Sequence, residues 1–330
     1  MHAAVVEEVN KLVISEVQDP TPEPGEVKIR VKASGICGTD LHILHGEFIA
    51  TYPVIPGHEF SGEVVELGTG VTNVSVGDRV VIDPVICCGR CLYCQTNRQN
   101  QCYDMKAYGV NEPGGFGEFV TVSAKNIYPI ENLDYTEAAF AEPLACVLLG
   151  VSKISPQPGE RALVFGAGPI GLLMAQAVRA AGAHEVVVVD KIPRRLGIAE
   201  EFGFKVAPPE EVSSAHTTDD GFENVIDCTG QPSVVEDLIV HVSRSGKMLF
   251  FGVCPPSAKI EISPYQIYLR DLKIFGSFAL CQTMESALRW LKSGAIRVDK
   301  LLSHQIGLEE FPQGLKLIGQ PDTMKIQVVY

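Results

Sequence analysis

Apolar positions fall into two textures along this chain. In the first third they form short runs, VKIRVKAS, EFSGEVVELG, DRVVIDPV and EFVTVSA, bounded by Gly and Pro. Short strands at this spacing predict a small antiparallel barrel or sandwich. From about residue 160 the texture changes. RALVF leads through a Gly-rich turn into the helix-like PIGLLMAQAVRAAGA, and EVVVVD, NVIDCTG, KMLFFG and KIFGSF follow, separated by segments of helical character. Fully apolar strands alternating with helices predict a doubly wound α/β fold, with a parallel sheet covered on both faces. The tail carries one amphipathic helix around MESALRWLKSG and ends in the strand-like KIQVVY. That last run resembles the early β segments, so the C-terminus is expected to return to the first domain.

The Gly-rich turn is the first candidate for chemistry. Gly166, Gly168 and Gly171, with Pro169 and Ile170 between the last two, match G-x-G-x-x-G between a strand and a helix. Gly166 permits the tight turn, Gly168 lets the backbone approach a pyrophosphate, and Gly171 lets helix and strand pack closely. The helix N-terminus offers free N–H groups and a positive dipole end, and Pro169 suits an early helical position that needs no N–H. EVVVVD ends in Asp190, about 20 residues on, where a carboxylate accepts from an adenosine ribose and repels a 2′-phosphate. The expected cofactor is therefore NAD rather than NADP. Arg194 and Arg195 lie close by and pull the other way, and the bland alternative for Asp190 is a solvated strand end.

Two constellations have metal-ligand character. Cys88, Cys91, Cys94 and Cys102 in CCGRCLYCQTNRQNQC give the spacing C-x2-C-x2-C-x7-C. Four such thiolates fit a closed, structural zinc site with no open position; Cys87 is the less well-spaced competitor of Cys88. Upstream and downstream lie SGICGTDLH, IPGHEF and FAEPLAC. Cys37, His58 and Glu59 supply a thiolate, an imidazole and a carboxylate, and Glu142 a second carboxylate. This set leaves room for water or substrate, as a catalytic zinc site requires. Taken singly, each has a plainer reading: a buried small thiol, a turn histidine, a solvated carboxylate, a helix cap.

Composition narrows the classes. A length of 330 residues suggests two domains, and 46% hydrophobic with 20% charged residues is ordinary for a globular enzyme. A net charge of −13 argues against nucleic acid as partner. The N-terminus has no basic and apolar signal-peptide pattern, and no run reaches the ~18 apolar residues of a membrane span. The ten cysteines are either clustered at metal spacing or scattered in apolar stretches, which fits a reducing, cytoplasmic setting.

CGTDLH, GHEFSGEVVELGTGVTNVSVGDRV, the four-cysteine lobe, GGFGEFV, EPLA and GAGPIG occur in an order that resembles the zinc-dependent medium-chain dehydrogenase/reductase superfamily, the alcohol dehydrogenase-like enzymes. With Glu142 in EPLA, the chain is most similar to polyol (sorbitol-type) dehydrogenases. The resemblance implies a mostly β GroES-like catalytic domain over 1–146 and 285–330, with a structural zinc lobe at 85–105, and an NAD-binding Rossmann domain over 147–284. It implies two zinc ions per chain and NAD. Cys37, His58 and Glu59 become the catalytic ligands, with Glu142 ligating directly or through a bound water, Cys146 competing for that place, and Glu59 able to move on and off the metal. It also implies a proton relay from the Thr39 hydroxyl through the nicotinamide ribose to His42. Arg270 falls where polyol dehydrogenases place an arginine near substrate and cofactor, with pairing to Asp271 as the alternative; Arg195 is a cofactor candidate. Phe116, Glu118 and Phe278 are candidate pocket residues. The expected reaction is reversible oxidation of a secondary alcohol, a polyol first, by a homodimer or homotetramer. Threonine, a small diol or a sugar-alcohol phosphate are the other substrate classes. A non-enzymatic zinc-ribbon module and a zinc-free quinone reductase are the more distant readings.

Overall fold

The computed structural model describes residues 1–215 and 221–330. The chain forms two compact units, Met1–Ala145 with Leu280–Tyr330, and Cys146–Ala279. The return crossing falls between Ala279 and Leu280, ahead of the expected 285, and Thr283 Oγ1 donates to the Ala145 carbonyl at 2.7 Å on the near side of both crossings.

The first unit is built on a seven-stranded sheet. Its path runs Leu302–Ile306, Lys325–Val329, Glu26–Ile36, Glu59–Leu67, Arg79–Ile82 and Ile127–Pro129, and Phe119–Ser123 also pairs with Glu26–Ile36. Alternation places Val27, Ile29 and Val31 on one face, packed with Phe60, Val64, Val80, Ile82, Val120 and Val122. Each such buried side chain contributes about 1.5–3 kcal/mol. The C-terminal run pairs antiparallel with the first long strand, Ile326 opposite Ile36, so the tail does return to this unit. The amphipathic segment forms the helix Met284–Lys292, which buries Met284, Ala287, Leu288 and Leu291 along one face.

Asp83, just past the strand Arg79–Ile82, is a half-buried residue whose carboxylate Oδ1 accepts from Val85 N at 2.9 Å. Burial pushes its pKa from 3.8 to about 6, against that one bond. The folded state therefore binds this proton more tightly than the unfolded chain. Stability should decline as pH rises from about 4 to about 6. A rise of this size corresponds to at most about 3 kcal/mol. Asp83→Asn keeps the acceptor and removes the charge, so at pH 7 it should stabilise the protein in chemical denaturation and flatten that acid slope. Lower stability than wild type at pH 7 would contradict the argument.

The second unit holds a six-stranded parallel sheet, ordered Lys205–Ala207, Glu185–Val189, Arg161–Phe165, Phe222–Asp227, Val242–Phe250 and Lys273–Gly276. Leu163, Phe165, Val189, Val225, Leu238 and Met248 lie in its core. Strand succession reverses between Arg161–Phe165 and Phe222–Asp227, the switch point where open α/β sheets bind ligands beyond their carboxyl ends.

Candidate active site and dinucleotide cradle

Cys37 ends the strand Glu26–Ile36 and caps the helix Gly38–His45 in extended conformation. The Asp40 carboxylate accepts from the Cys37 amide at 2.8 Å, which fixes the thiol at the junction. His58 follows Gly57, whose φ of +97° makes the turn, and Glu59 opens the neighbouring strand opposite Gly35. A Cβ on Gly35 would strike the Glu59 carboxylate, so glycine makes the room for it. The ligand atoms of Cys37, His58 and Glu59 all lie within 4.8 Å of one another.

The electrostatics of this cluster fit a dication. Burial alone would depress the His58 imidazole, but the hydrogen bond and charge of Cys37 and the charges of Asp40 and Glu142 outweigh it and hold the pKa well above 6.5. Burial raises the Asp40 carboxyl, opposed by His58 and by the Cys37 amide. Asp40 Oδ1 lies 3.7 Å from His58 Nδ1, and both atoms are buried without a hydrogen-bond partner. A thiolate, an imidazole and carboxylates crowded together out of water call for positive charge, and S, N and O donors in this number suit zinc with a position left open. Glu142 sits in the first turn of the helix Ala141–Ile154, 7% exposed, and its charge acts on His58 and on Lys325.

Lys325 was not singled out by sequence reasoning. It is 5% exposed, and its Nζ donates to Glu59 Oε1 at 2.8 Å, to Glu59 Oε2 at 2.7 Å and to the Ile36 carbonyl at 3.3 Å. Burial works to lower its pKa, but Glu59, Cys37 and Glu142 together raise it, so the ammonium stays charged. Both Glu59 oxygens are thus engaged by a cation inside the chain. The one available signal was a lysine opening a strand whose other residues, Gln327 apart, are apolar.

Thr39 Oγ1 lies 3.7 Å from Cys37 Sγ. His42, one helical turn further, pairs through Nδ1 with Glu47 Oε2 at 2.7 Å, its side chain 44% exposed.

The sulfurs of Cys88, Cys91, Cys94 and Cys102 also lie within 4.8 Å of one another, and Cys87 is exposed outside that group. Backbone amides are aimed at them, Cys88 N at Cys102 Sγ (3.3 Å) and Cys91 N at Cys88 Sγ (3.4 Å). Amide donors from Cys94 and Tyr103 bring the Cys91 thiol down to about 6, and those of Arg90 and Cys91 lower Cys88. Burial raises Cys94 and Cys102. This donor set fits a closed, four-sulfur zinc site. No two cysteines among the described residues form a disulfide.

In the second unit, Gly166 takes φ +102° after the strand Arg161–Phe165, and Gly168 caps the helix Pro169–Ala180 in extended conformation. A Cβ on Gly171 would collide with the Gly166 carbonyl, whereas one on Gly168 would meet nothing within 4 Å. The helix start is thus open over Gly168, as a pyrophosphate requires. Asp190 accepts from Ala167 N at 2.7 Å and from Ile192 N at 2.8 Å, so it braces the turn from the next strand. Arg194 and half-buried Arg195 stand in the first turn of the helix Pro193–Glu201.

Three expectations need correction. The Arg270 guanidinium is buried against the end of the helix Pro232–His241, donating to the carbonyls of Ile239 (2.9 Å) and Val242. It closes that helix, and Asp271 faces Ser245 Oγ at 3.4 Å instead. Phe116 is fully buried and packs on Phe311 with ring centroids 4.2 Å apart, so it is core. Glu118 accepts from His2 N at 2.7 Å and ties down the first strand. Phe278, by contrast, is 49% exposed.

Residues 23–132 match the alcohol dehydrogenase GroES-like domain and residues 169–293 the zinc-binding dehydrogenase family. The chain belongs to the zinc-binding, alcohol dehydrogenase-like medium-chain dehydrogenases. D-altritol 5-dehydrogenase of Agrobacterium fabrum is 40% identical over 99% of this chain and 99% of its own. D-arabinitol dehydrogenase 1 of Uromyces fabae is 36% identical over 99% of this chain and 97% of its own. A solved Sinorhizobium meliloti protein, described as a zinc-binding dehydrogenase and bound to NADP, superposes with a TM-score of 0.96 at 36% identity, over 100% of this chain and 99% of that one. No helix among the described residues is long and apolar enough to cross a membrane.

Proposed function

We propose that this enzyme oxidises a secondary hydroxyl of a polyol to the ketone, reversibly, with NAD as hydride acceptor. The observation that carries the proposal is the convergence of Cys37, His58 and Glu59 on one buried point in the catalytic unit. A zinc ion there supplies Lewis acidity toward the alcohol oxygen, and NAD supplies the hydride acceptor. The chain's own groups do the rest. Cys37 and His58 would hold the ion, the buried Asp40 carboxylate faces the His58 ring, and Glu59, held by Lys325, would be the carboxylate able to join them. Glu142 is the further carboxylate, as a ligand or through water. Thr39 and His42, on one side of the same helix, carry the substrate proton toward solvent, and Glu47 steadies the imidazole. Cys88, Cys91, Cys94 and Cys102 hold a second, structural zinc.

The glycine turn would seat the pyrophosphate. Asp190 follows the strand next to the glycine turn and bonds that turn, which supports an adenosine ribose beside it, and a carboxylate there would repel a 2′-phosphate. We expect a higher kcat/KM with NAD than with NADP, although the similar Sinorhizobium meliloti protein binds NADP. Asp190→Ala should narrow or invert that ratio by about tenfold or more, since each 1.4 kcal/mol is a tenfold change. A wild-type preference for NADP would overturn this assignment.

A reducing, cytoplasmic setting is supported by cysteines that form no disulfide among the described residues. A homodimer or homotetramer is supported by the open edge at Lys273–Gly276, beside which Tyr265, Tyr268, Leu269, Ile274 and Phe278 are exposed. Light scattering after size exclusion decides the assembly state. The substrate is decided by steady-state reduction of NAD over a panel of sugar alcohols, sugar-alcohol phosphates, threonine and butanediol. The proposal expects the highest kcat/KM on a pentitol or hexitol, and fails if no polyol is turned over by zinc-replete protein.

A further inference from the structure

We propose that Asp227 is a positioning residue for the dinucleotide. Its buried carboxylate shapes the Cys228–Gly230 turn into a second wall of the cradle, facing the glycine turn. The inference rests on the dinucleotide reading above.

Asp227 is the last residue of the strand Phe222–Asp227 and is fully buried. It stands in register with Phe165, the residue before Gly166, across the switch point of the sheet. Its carboxylate accepts three hydrogen bonds from its own following turn. Oδ1 takes Thr229 N at 2.8 Å and Thr229 Oγ1 at 2.6 Å, and Oδ2 takes Gly230 N at 3.1 Å. Its carbonyl accepts from Phe251 N at 3.1 Å and Gly252 N at 2.9 Å, which draws in the loop after the next strand. Cys228 N in turn donates to the Phe165 carbonyl at 2.8 Å. Asp227 therefore joins its own turn to the loop after the next strand, and its neighbour Cys228 ties that turn to the strand before the glycine motif.

The turn it shapes is in contact with the glycine motif. A Cβ on Gly166 would lie 3.3 Å from the Cys228 carbonyl carbon and 3.3 Å from Thr229 Cγ2, and one on Gly171 would lie 3.7 Å from Cys228 Cβ. Gly230 holds φ +65°, and its missing side chain leaves space for the Val253 backbone. A carboxylate that accepts several amides and a hydroxyl is a rigid device. When it is removed, buried donors lose their partners and the turn must rearrange to find others. Beside a ligand site such rigidity matters, because sub-ångström displacement of this backbone would narrow the crevice.

The test measures NADH affinity by fluorescence titration of the zinc-replete protein, with folding monitored by far-UV circular dichroism. Asp227→Ala should raise the NADH Kd by about tenfold or more. Thr229→Val, which removes only the hydroxyl bond, should raise it by a few-fold. Asp227→Asn, which keeps an acceptor at Oδ1, should fall between wild type and Asp227→Ala. The rise in cofactor Kd should exceed any rise in the alcohol KM. A folded Asp227→Ala protein with lowered Tm but wild-type NADH Kd would make the role merely structural and overturn the proposal. If that variant does not fold, wild-type Kd in both Asp227→Asn and Thr229→Val overturns it equally. Wild-type protein that binds neither NADH nor NADPH would sink the dinucleotide reading itself, a result distinct from variant affinity matching a measurable wild-type value.

Discussion

His58→Ala should abolish turnover while the protein stays folded. The imidazole, with Cys37 and Glu59, is one of three side chains whose donor atoms converge within 4.8 Å of one another. Losing it should release one zinc per chain, with the Lewis acidity that ion supplies. Such stabilisation is worth several kcal/mol, and about 4 kcal/mol corresponds to about 10³ in rate. We therefore expect kcat/KM to fall by at least about 10³, and metal analysis to show about one zinc per chain in the variant against an expected two in wild type. Cys37→Ala should behave alike. Cofactor affinity should change little, because the glycine turn belongs to the other unit. A His58→Ala enzyme with full zinc content and turnover within tenfold of wild type would contradict this role.

Lys325→Ala should be the most destabilising single change in the catalytic unit. It would strand the Glu59 carboxylate, 1% exposed, beside the Cys37 thiol and within the field of Glu142. Breaking a buried pair from one side costs about 3–5 kcal/mol, since the remaining charge has no solvent. Pairing the change with Glu59→Gln removes the stranded charge, so the double variant should be more stable than Lys325→Ala alone. Urea or guanidinium unfolding of the four proteins measures this directly. Additive losses in the double variant would show that the ion pair carries no coupling. A zinc-dependent difference is also expected: added zinc should recover more stability in Lys325→Ala than in wild type, because the freed carboxylate then has a metal to bind.

Local spacing made much of the molecule readable in advance. The four-cysteine lobe, the glycine turn and the pair His58–Glu59 are each short enough for covalent geometry to hold their parts together. The parallel sheet was readable because strands buried on both faces are apolar throughout, as EVVVVD and KMLFFG are. What escaped notice depends on register across distant strands. Lys325 meets Glu59 over a separation of 266 residues, because the last strand pairs with Glu26–Ile36, which in turn pairs with Glu59–Leu67. No period in the sequence distinguishes a buried lysine from an edge lysine. Arg270 was expected near substrate and cofactor from its matching position in polyol dehydrogenases, or paired with Asp271, while its actual partners are two backbone carbonyls of a helix end, which no side-chain pattern displays. Asp227 was not singled out, because most of the donors that define it belong to the backbone, which sequence patterns do not display.

Anomalous scattering at the zinc edge from metal-replete crystals tests the central claim most directly. Two peaks per chain are expected, one inside the sulfurs of Cys88, Cys91, Cys94 and Cys102, and one at about 2.0–2.3 Å from both His58 and the Cys37 sulfur. A single peak at the four-cysteine lobe, with nothing beside Cys37 and His58, would contradict the mechanism.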